Sequence, residues 1–168
     1  MQRGVRAAGM AVLLSLTAPL FAGQQVWFVP WKVLEPGVEA RPSLFAVYWI
    51  PSSPDELRRS DLLTSRALTT FSARCVAMHV VRIDDVERME RFDASSLPVV
   101  VLAEGNRELA RRPEGEGVLR AVDVEAMVRA EFEARELAAG ASLDEVGRLA
   151  AGGDGAAAIA IYQRVAQQ

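Results

Sequence analysis

The chain of 168 residues holds one cysteine, Cys75, and one histidine, His79. A lone thiol can form no internal disulfide; it is either buried and inert or free for an intermolecular bond. Phe71, Val76 and Met78 surround Cys75 with apolar character, so a buried thiol is expected. His79 falls inside an apolar run, Val76 to Ile83, and reads as an ordinary strand histidine. Ser52 and Ser53 are the candidate hydroxyl nucleophiles. They would need a base to be activated, and no Gly-x-Ser-x-Gly elbow surrounds them. Turn formation and helix capping explain Ser52, Ser53 and Asp55 more simply. One His and one Cys make no zinc set unless carboxylates complete it. Asp84, Asp85 and Glu87 cluster without the loop spacing of a calcium site, and Gly152-Gly153-Asp154-Gly155 lacks the Lys-Ser/Thr ending of a phosphate loop. No metal or cofactor is expected.

The elements that position these residues follow from apolar patterning. Leu44-Phe45-Ala46-Val47-Tyr48-Trp49-Ile50 does not alternate, as in a strand buried on both faces. Pro51 and Pro54 open a loop, and acid at Asp55-Glu56 suits a first helical turn. Leu57, Leu62, Leu63, Ala67, Leu68 and Phe71 predict one helix over about 55–73. Val76–Ile83 is the next strand, Asp84-Asp85 can cap a short helix carrying Val86, Met89 and Phe92, and Ser96-Leu97-Pro98 leads into Val99–Leu102. Glu104-Gly105-Asn106 is a hairpin turn before Glu108–Arg111. Asp123 caps a further helix that Gly140 ends, and two short helices, about 142–151 and 155–166, follow. Val26–Val29, limited by Pro30, reads as an edge strand or a lead-in. The arginine pairs Arg58-Arg59 and Arg111-Arg112 belong to solvated faces.

Residues 1–22 read as a signal peptide: Arg3 and Arg6, then an uncharged apolar stretch, then Leu20-Phe21-Ala22-Gly23 with small residues for cleavage. The alternative is an uncleaved anchor, although Pro19, Gly23, Gln24 and Gln25 interrupt the roughly 20 apolar residues that a span needs. Export places the protein in the periplasm or outside the cell, an oxidising setting. The formal charge of −3 from 19 basic and 22 acidic residues becomes 17 against 22, or −5, once Arg3 and Arg6 are lost. That balance argues against nucleic acid and against anionic lipid as partner. A membrane is a partner only if the leader stays attached.

The order strand–helix–strand–helix–strand–hairpin strand–helix, with Ser96-Leu97-Pro98 before an apolar strand, resembles the thioredoxin-like superfamily over residues 24–139. Trp49-Ile50-Pro51-Ser52-Ser53-Pro54 resembles its Trp-Ala-x-Trp-Cys-Gly-Pro-Cys segment in the opening tryptophan. The resemblance implies an α/β fold, a mixed sheet flanked by helices, with a cis proline at Pro98 facing the Ser52–Ser53 position. Residues 50–58 contain no cysteine, and thiol–disulfide exchange needs an attacking and a resolving thiol. Nor does any Asp or Glu between Ser43 and Pro54 supply the buried carboxylate that active members carry. Dithiol oxidoreductase activity is therefore not expected. In the family, the backbone before the cis proline docks an extended chain, a form of strand addition; Pro98 either keeps that role or only shapes a turn.

The tail 140–168, with Gly153-Asp154-Gly155 followed by Ala158-Ile159 and Tyr162, resembles a single tetratricopeptide repeat; a generic Ala-rich helical hairpin is the alternative. One such unit cannot bury its apolar face alone. The expectation is thus an exported, non-catalytic thioredoxin-like module that binds a protein or peptide. The candidate binding residues are Trp49, taken as rim-facing, with Ser52, Ser53, Leu97 and Pro98 beside it and Ile159 and Tyr162 on the tail. A thiol-redox accessory acting through Cys75 is the alternative.

Overall fold

The structure, a computed structural model, describes residues 27–40, 43, 45–114 and 117–166. The leader 1–22, with its cleavage point, lies outside the described residues. Among those described, no helix is long and apolar enough to cross a membrane.

The chain forms β1 (Lys32–Leu34), β2 (Phe45–Ile50), α1 (Pro54–Arg59), a 3-10 turn (Asp61–Leu63), α2 (Arg66–Ser72), β3 (Val76–Val81) and α3 (Val86–Arg91). It continues through β4 (Val99–Glu104), β5 (Arg107–Arg112), α4 (Ala121–Ala151) and α5 (Gly155–Ala166). The five strands lie in the order β1-β3-β2-β4-β5. The first three are parallel; β4 runs antiparallel to β2, and β5 to β4. This is the mixed α/β sheet that the patterning predicts.

The unbroken apolar run of β2 has a simple cause. Phe45, Val47 and Trp49 pack on one face with Val76, Met78 and Val80 of β3, beneath α2 and α4. Ala46, Tyr48 and Ile50 pack on the other with Val81, Val99, Val101 and Phe92. Each large apolar side chain buried this way contributes about 1.5–3 kcal/mol. Trp49 is fully buried and sits edge-to-face on Trp31, with ring centroids 5.4 Å apart. It is a core residue, not a rim residue, because alternation along β2 turns it beneath the helices.

The expected helix 55–73 is broken twice. Ser60 is extended, and its hydroxyl accepts from the Leu62 N–H at 3.3 Å. Ser65 does the same for Leu68 at 3.0 Å. Each serine competes for a backbone donor and starts a new turn, so near-helical apolar spacing persists along a bent path. The expected strand at 26–29 does not form over its described residues. Val29 N–H donates to the Leu63 carbonyl at 3.0 Å and the Trp31 indole to that of Leu62 at 2.9 Å, which ties this segment to the 3-10 turn.

Asp123 does not cap α4, and Gly140 does not end it. Asp61, 60 residues upstream, accepts the Ala121 N–H at 3.1 Å through both carboxylate oxygens, while Asp123 pairs with Arg120. The helix runs unbroken for 31 residues, about 46 Å at 1.5 Å per residue. Its first turns bury Val124, Met127 and Val128 in the core. It stops at Gly152-Gly153, where Gly153 takes φ +85°, a conformation that glycine adopts freely. Asp154 then caps α5 by accepting from Ala157 N–H at 3.1 Å. The C-terminal hairpin is therefore α5 folded back on the end of α4, and α4 crosses the expected boundary at 139/140.

Candidate functional site

The parallel strands end at the edge of the sheet where β2 hands over to α1, and crevices beyond such strand ends are the usual ligand positions of α/β sheets. The last pair of the β2–β4 ladder is Ile50–Val99. Pro51, Ser52 and Ser53 follow this pair on one strand and Leu97 and Pro98 precede it on the other, so both loops leave the same end of the sheet. The Leu97–Pro98 bond is cis. Ser52 is exposed, while Ser53, Leu97 and Pro98 are half-buried. The Ser53 hydroxyl accepts from the Glu56 N–H at 3.1 Å as the N-cap of α1. Of the expected binding residues, Ser52, Ser53, Leu97 and Pro98 lie in the two loops at this end of the sheet, and Trp49 is withdrawn into the core.

Glu56 was missed at this rim. Burial pushes its carboxyl above the usual carboxylate range, partly offset by a backbone hydrogen bond from Ser52. Its Oε2 has no partner among the described residues. The first central strand supplies no acid, whereas the Ser53-x-x-Glu56 spacing, that of a capping box, brings one to the same loop from the helix side. Beside it, Pro51, Leu57, Val33, Val81 and Ile83 line a groove of about 400 Å³, with Val33 and Ile83 more than half exposed. The groove thus offers apolar surface, with Arg82 and Asp84 also in its lining; Glu56 follows on α1. The loop 50–58 holds no thiol, and the imidazole is remote from Ser52: His79 pairs with Tyr48 in the β2–β3 ladder, four residues upstream, about 13 Å along an extended chain.

Cys75 is exposed, contrary to the buried thiol expected. The Arg74 N–H closes the end of α2 on the Phe71 carbonyl at 2.8 Å, and Cys75 follows at φ +65° before β3 begins. That left-handed step turns the side chain outward while Phe71 and Val76 stay inside. His79 is a strand histidine, as read, and only 4% exposed. Its ring stacks on Tyr48 at 5.4 Å, and neither ring nitrogen has a partner among the described residues. Burial, with Lys32 and Arg88 nearby, lowers its pKa below the usual histidine value. On the tail, Ile159 and Tyr162 are both exposed by more than half. Among the described residues, no group of three or more His, Cys, Asp or Glu side chains is placed to hold a metal ion.

No protein-family model matches the chain, and no curated protein does. Solved structures similar to it include thioredoxin O2 from Arabidopsis thaliana in its oxidised state, at 15% identity and TM-score 0.41, covering 61% of this chain and 94% of that one. A thioredoxin-like protein from Clostridium perfringens is similar at 16% identity and TM-score 0.42, over 67% and 90%. Malassezia sympodialis thioredoxin is similar at 11% and 0.38, over 53% and 76%. The strand order β1-β3-β2-β4-β5, with its first three strands parallel and its last two antiparallel, is by itself a thioredoxin-like α/β fold.

Proposed function

We propose that the chain is an exported, non-catalytic binding module for protein or peptide, which it takes at the rim formed by Ser52, Ser53, Leu97 and Pro98. The observation that carries this reading is the pairing of a thiol-free loop with an apolar groove at the same strand ends. An extended peptide gains main-chain hydrogen bonds along such a rim and side-chain pockets in the groove. Ile159 and Tyr162 on α5 offer a second, separate surface. Residues 1–22 serve as the export signal in this reading, leaving a periplasmic or secreted product; an uncleaved, anchored form is the alternative. The mass of the product recovered from cells decides between them, with a start after Ala22 or Gly23 expected.

A displayed library of extended peptides, selected on the intact protein, tests the rim. Enriched peptides should bind at least about tenfold more weakly to Ile83→Asp and equally well to Tyr162→Ala. Ile83 is 55% exposed, so the change leaves the core intact. Failure to enrich any sequence, or indifference to Ile83→Asp, rejects the rim.

A second reading, a thiol-redox accessory acting through Cys75, draws on the exposure of that thiol. Its chemistry is a mixed disulfide: the Cys75 thiolate attacks a partner disulfide, one new S–S bond forms, and a partner thiolate leaves. Rapid glutathionylation of the folded protein by oxidised glutathione supports it; labelling only after denaturation rejects it.

A further inference from the structure

The apolar groove at the rim does not end at Ile83. That side chain, in the loop between β3 and α3, also lines a second depression of about 340 Å³, together with Val86, Met89, Glu90 and Asp93. Val33 and Ile83 thus border the first depression, and Ile83 and Val86 the second. Val86 is 62% exposed, much like the other two. Single exposed aliphatics are ordinary, whereas a contiguous run of them marks an interaction surface. Leu57, in the first depression, packs against the core cluster beneath α2 and α4. Met89, in the second, packs against the cluster that holds Phe92. The run therefore passes across the carboxyl end of β3. Ser95, two residues before the cis bond at Leu97–Pro98, closes its far side.

Charge distinguishes the two depressions. In the first, Arg82 is held by Asp84 and, at 3.6 Å, by Glu35. In the second, Glu90 and Asp93 are exposed, and among the described residues neither carboxylate makes an ion pair. Arg111 feels the charge of Asp93 but is held by both oxygens of Glu108, at 2.7 and 2.6 Å. Arg91 lies 6.0 Å over the Phe92 ring and lines a different crevice, beside Tyr48. The second depression has an aliphatic floor and a negative margin.

We infer that the rim takes an extended segment with apolar residues at two alternate positions, one on either side of Ile83, and a lysine or arginine beside the second. Alternate side chains of an extended chain point the same way and stand about 7 Å apart, so they straddle one intervening side chain. A basic group at the second depression meets two carboxylates, and an acidic group is repelled by both. The inference rests on the peptide reading of the rim and adds the residue types that the peptide carries.

Three synthetic peptides test this on the full chain. They are acetylated Ser-Xaa-Val-Thr-Val-Xaa-Ser amides with lysine, glutamine or glutamate at both Xaa positions, so that either chain direction presents the charge. The methyl resonances of Val33, Ile83 and Val86 should shift together and saturate. The lysine peptide should bind about tenfold more tightly than the glutamate peptide, with glutamine between them, the sum of a few weak exposed charge contacts. In the double variant Glu90→Gln/Asp93→Asn the three affinities should converge to within about twofold. Both positions are exposed, and asparagine tolerates the left-handed backbone of Asp93 at φ +43°, so the fold is spared. Equal affinities in the native chain, or a lysine preference that survives the double variant, overturn the inference and leave the rim reading intact. Methyl resonances that no peptide moves overturn it too, and the displayed library then decides whether the rim reading falls with it.

Discussion

Replacing His79 by phenylalanine should stabilise the protein. The native ring is stacked on Tyr48 and buried, and both nitrogens lack a partner among the described residues. A stranded buried donor or acceptor costs about 1–3 kcal/mol. Phenylalanine keeps the stack and removes both. Its extra bulk has room, because the residue borders a cavity, which limits the overpacking cost of about 1–3 kcal/mol otherwise expected. A net gain of about 2 kcal/mol at pH 8 follows, a Tm rise on the order of 4–8 °C for a chain of this size.

The pH dependence is the sharper test of the same substitution. Burial, Lys32 and Arg88 all hold the folded imidazole below its usual pKa, whereas the unfolded chain titrates near about 6.5. On acidification the unfolded state takes the proton first. The stability of the native protein is therefore full above about pH 6.5 and is lost as pH falls toward the folded midpoint, by up to about 1.4 kcal/mol per pH unit. The variant lacks that loss. Urea melts of both proteins from pH 5 to 8 should show a stability difference that widens below pH 6.5. A difference that stays flat, or a variant no more stable than the native chain at pH 8, refutes the reasoning.

Asp85 and Arg88 form a buried ion pair, and Arg88 also donates to the Glu35 and Val38 carbonyls, so it pins the β1–β2 crossover. Asp85→Ala strands a buried guanidinium and should cost about 3–5 kcal/mol in chemical denaturation. Asp61→Ala removes the acceptor at the start of α4 and should cost about 1 kcal/mol, with Asp61→Asn recovering part of it. Cys75→Gly relieves the left-handed backbone at φ +65°; the relief of about 1–2 kcal/mol slightly exceeds the entropic cost of glycine, so Tm should hold or rise by a few degrees. Insulin reduction with dithiothreitol should proceed at the uncatalysed rate, and turnover above that background would contradict the non-catalytic reading.

Much of the fold was legible in the residue pattern because buried strands and hairpin turns are local signals. Phe45–Ile50, Val76–Val81, Val99–Leu102 and the turn at Gly105 each follow from a short window. Helix breaks were less legible. Ser60 and Ser65 interrupt an apolar spacing that looks continuous, since a serine serves equally well inside an exposed helix face or at its cap. Gly140 looks like a stop, yet the helix passes through it because nothing there requires a left-handed residue. The order of elements puts Ser52 and Ser53 after β2 and Leu97 and Pro98 before β4, at one end of the sheet. Glu56 was missed because its burial comes from the loop packing around it.

Composition alone determined that no cysteine pair stands at the β2–α1 loop, since an absent residue type is absent in every conformation. It likewise determined the apolar strands, whose burial on both faces their own residues demand. Which way Trp49 and Cys75 point, and how His79 comes to be buried against Tyr48, were decided by the tertiary structure. The reason is that side-chain direction depends on strand parity and a single backbone dihedral, and burial depends on which distant residues pack against the strand; no local window contains either.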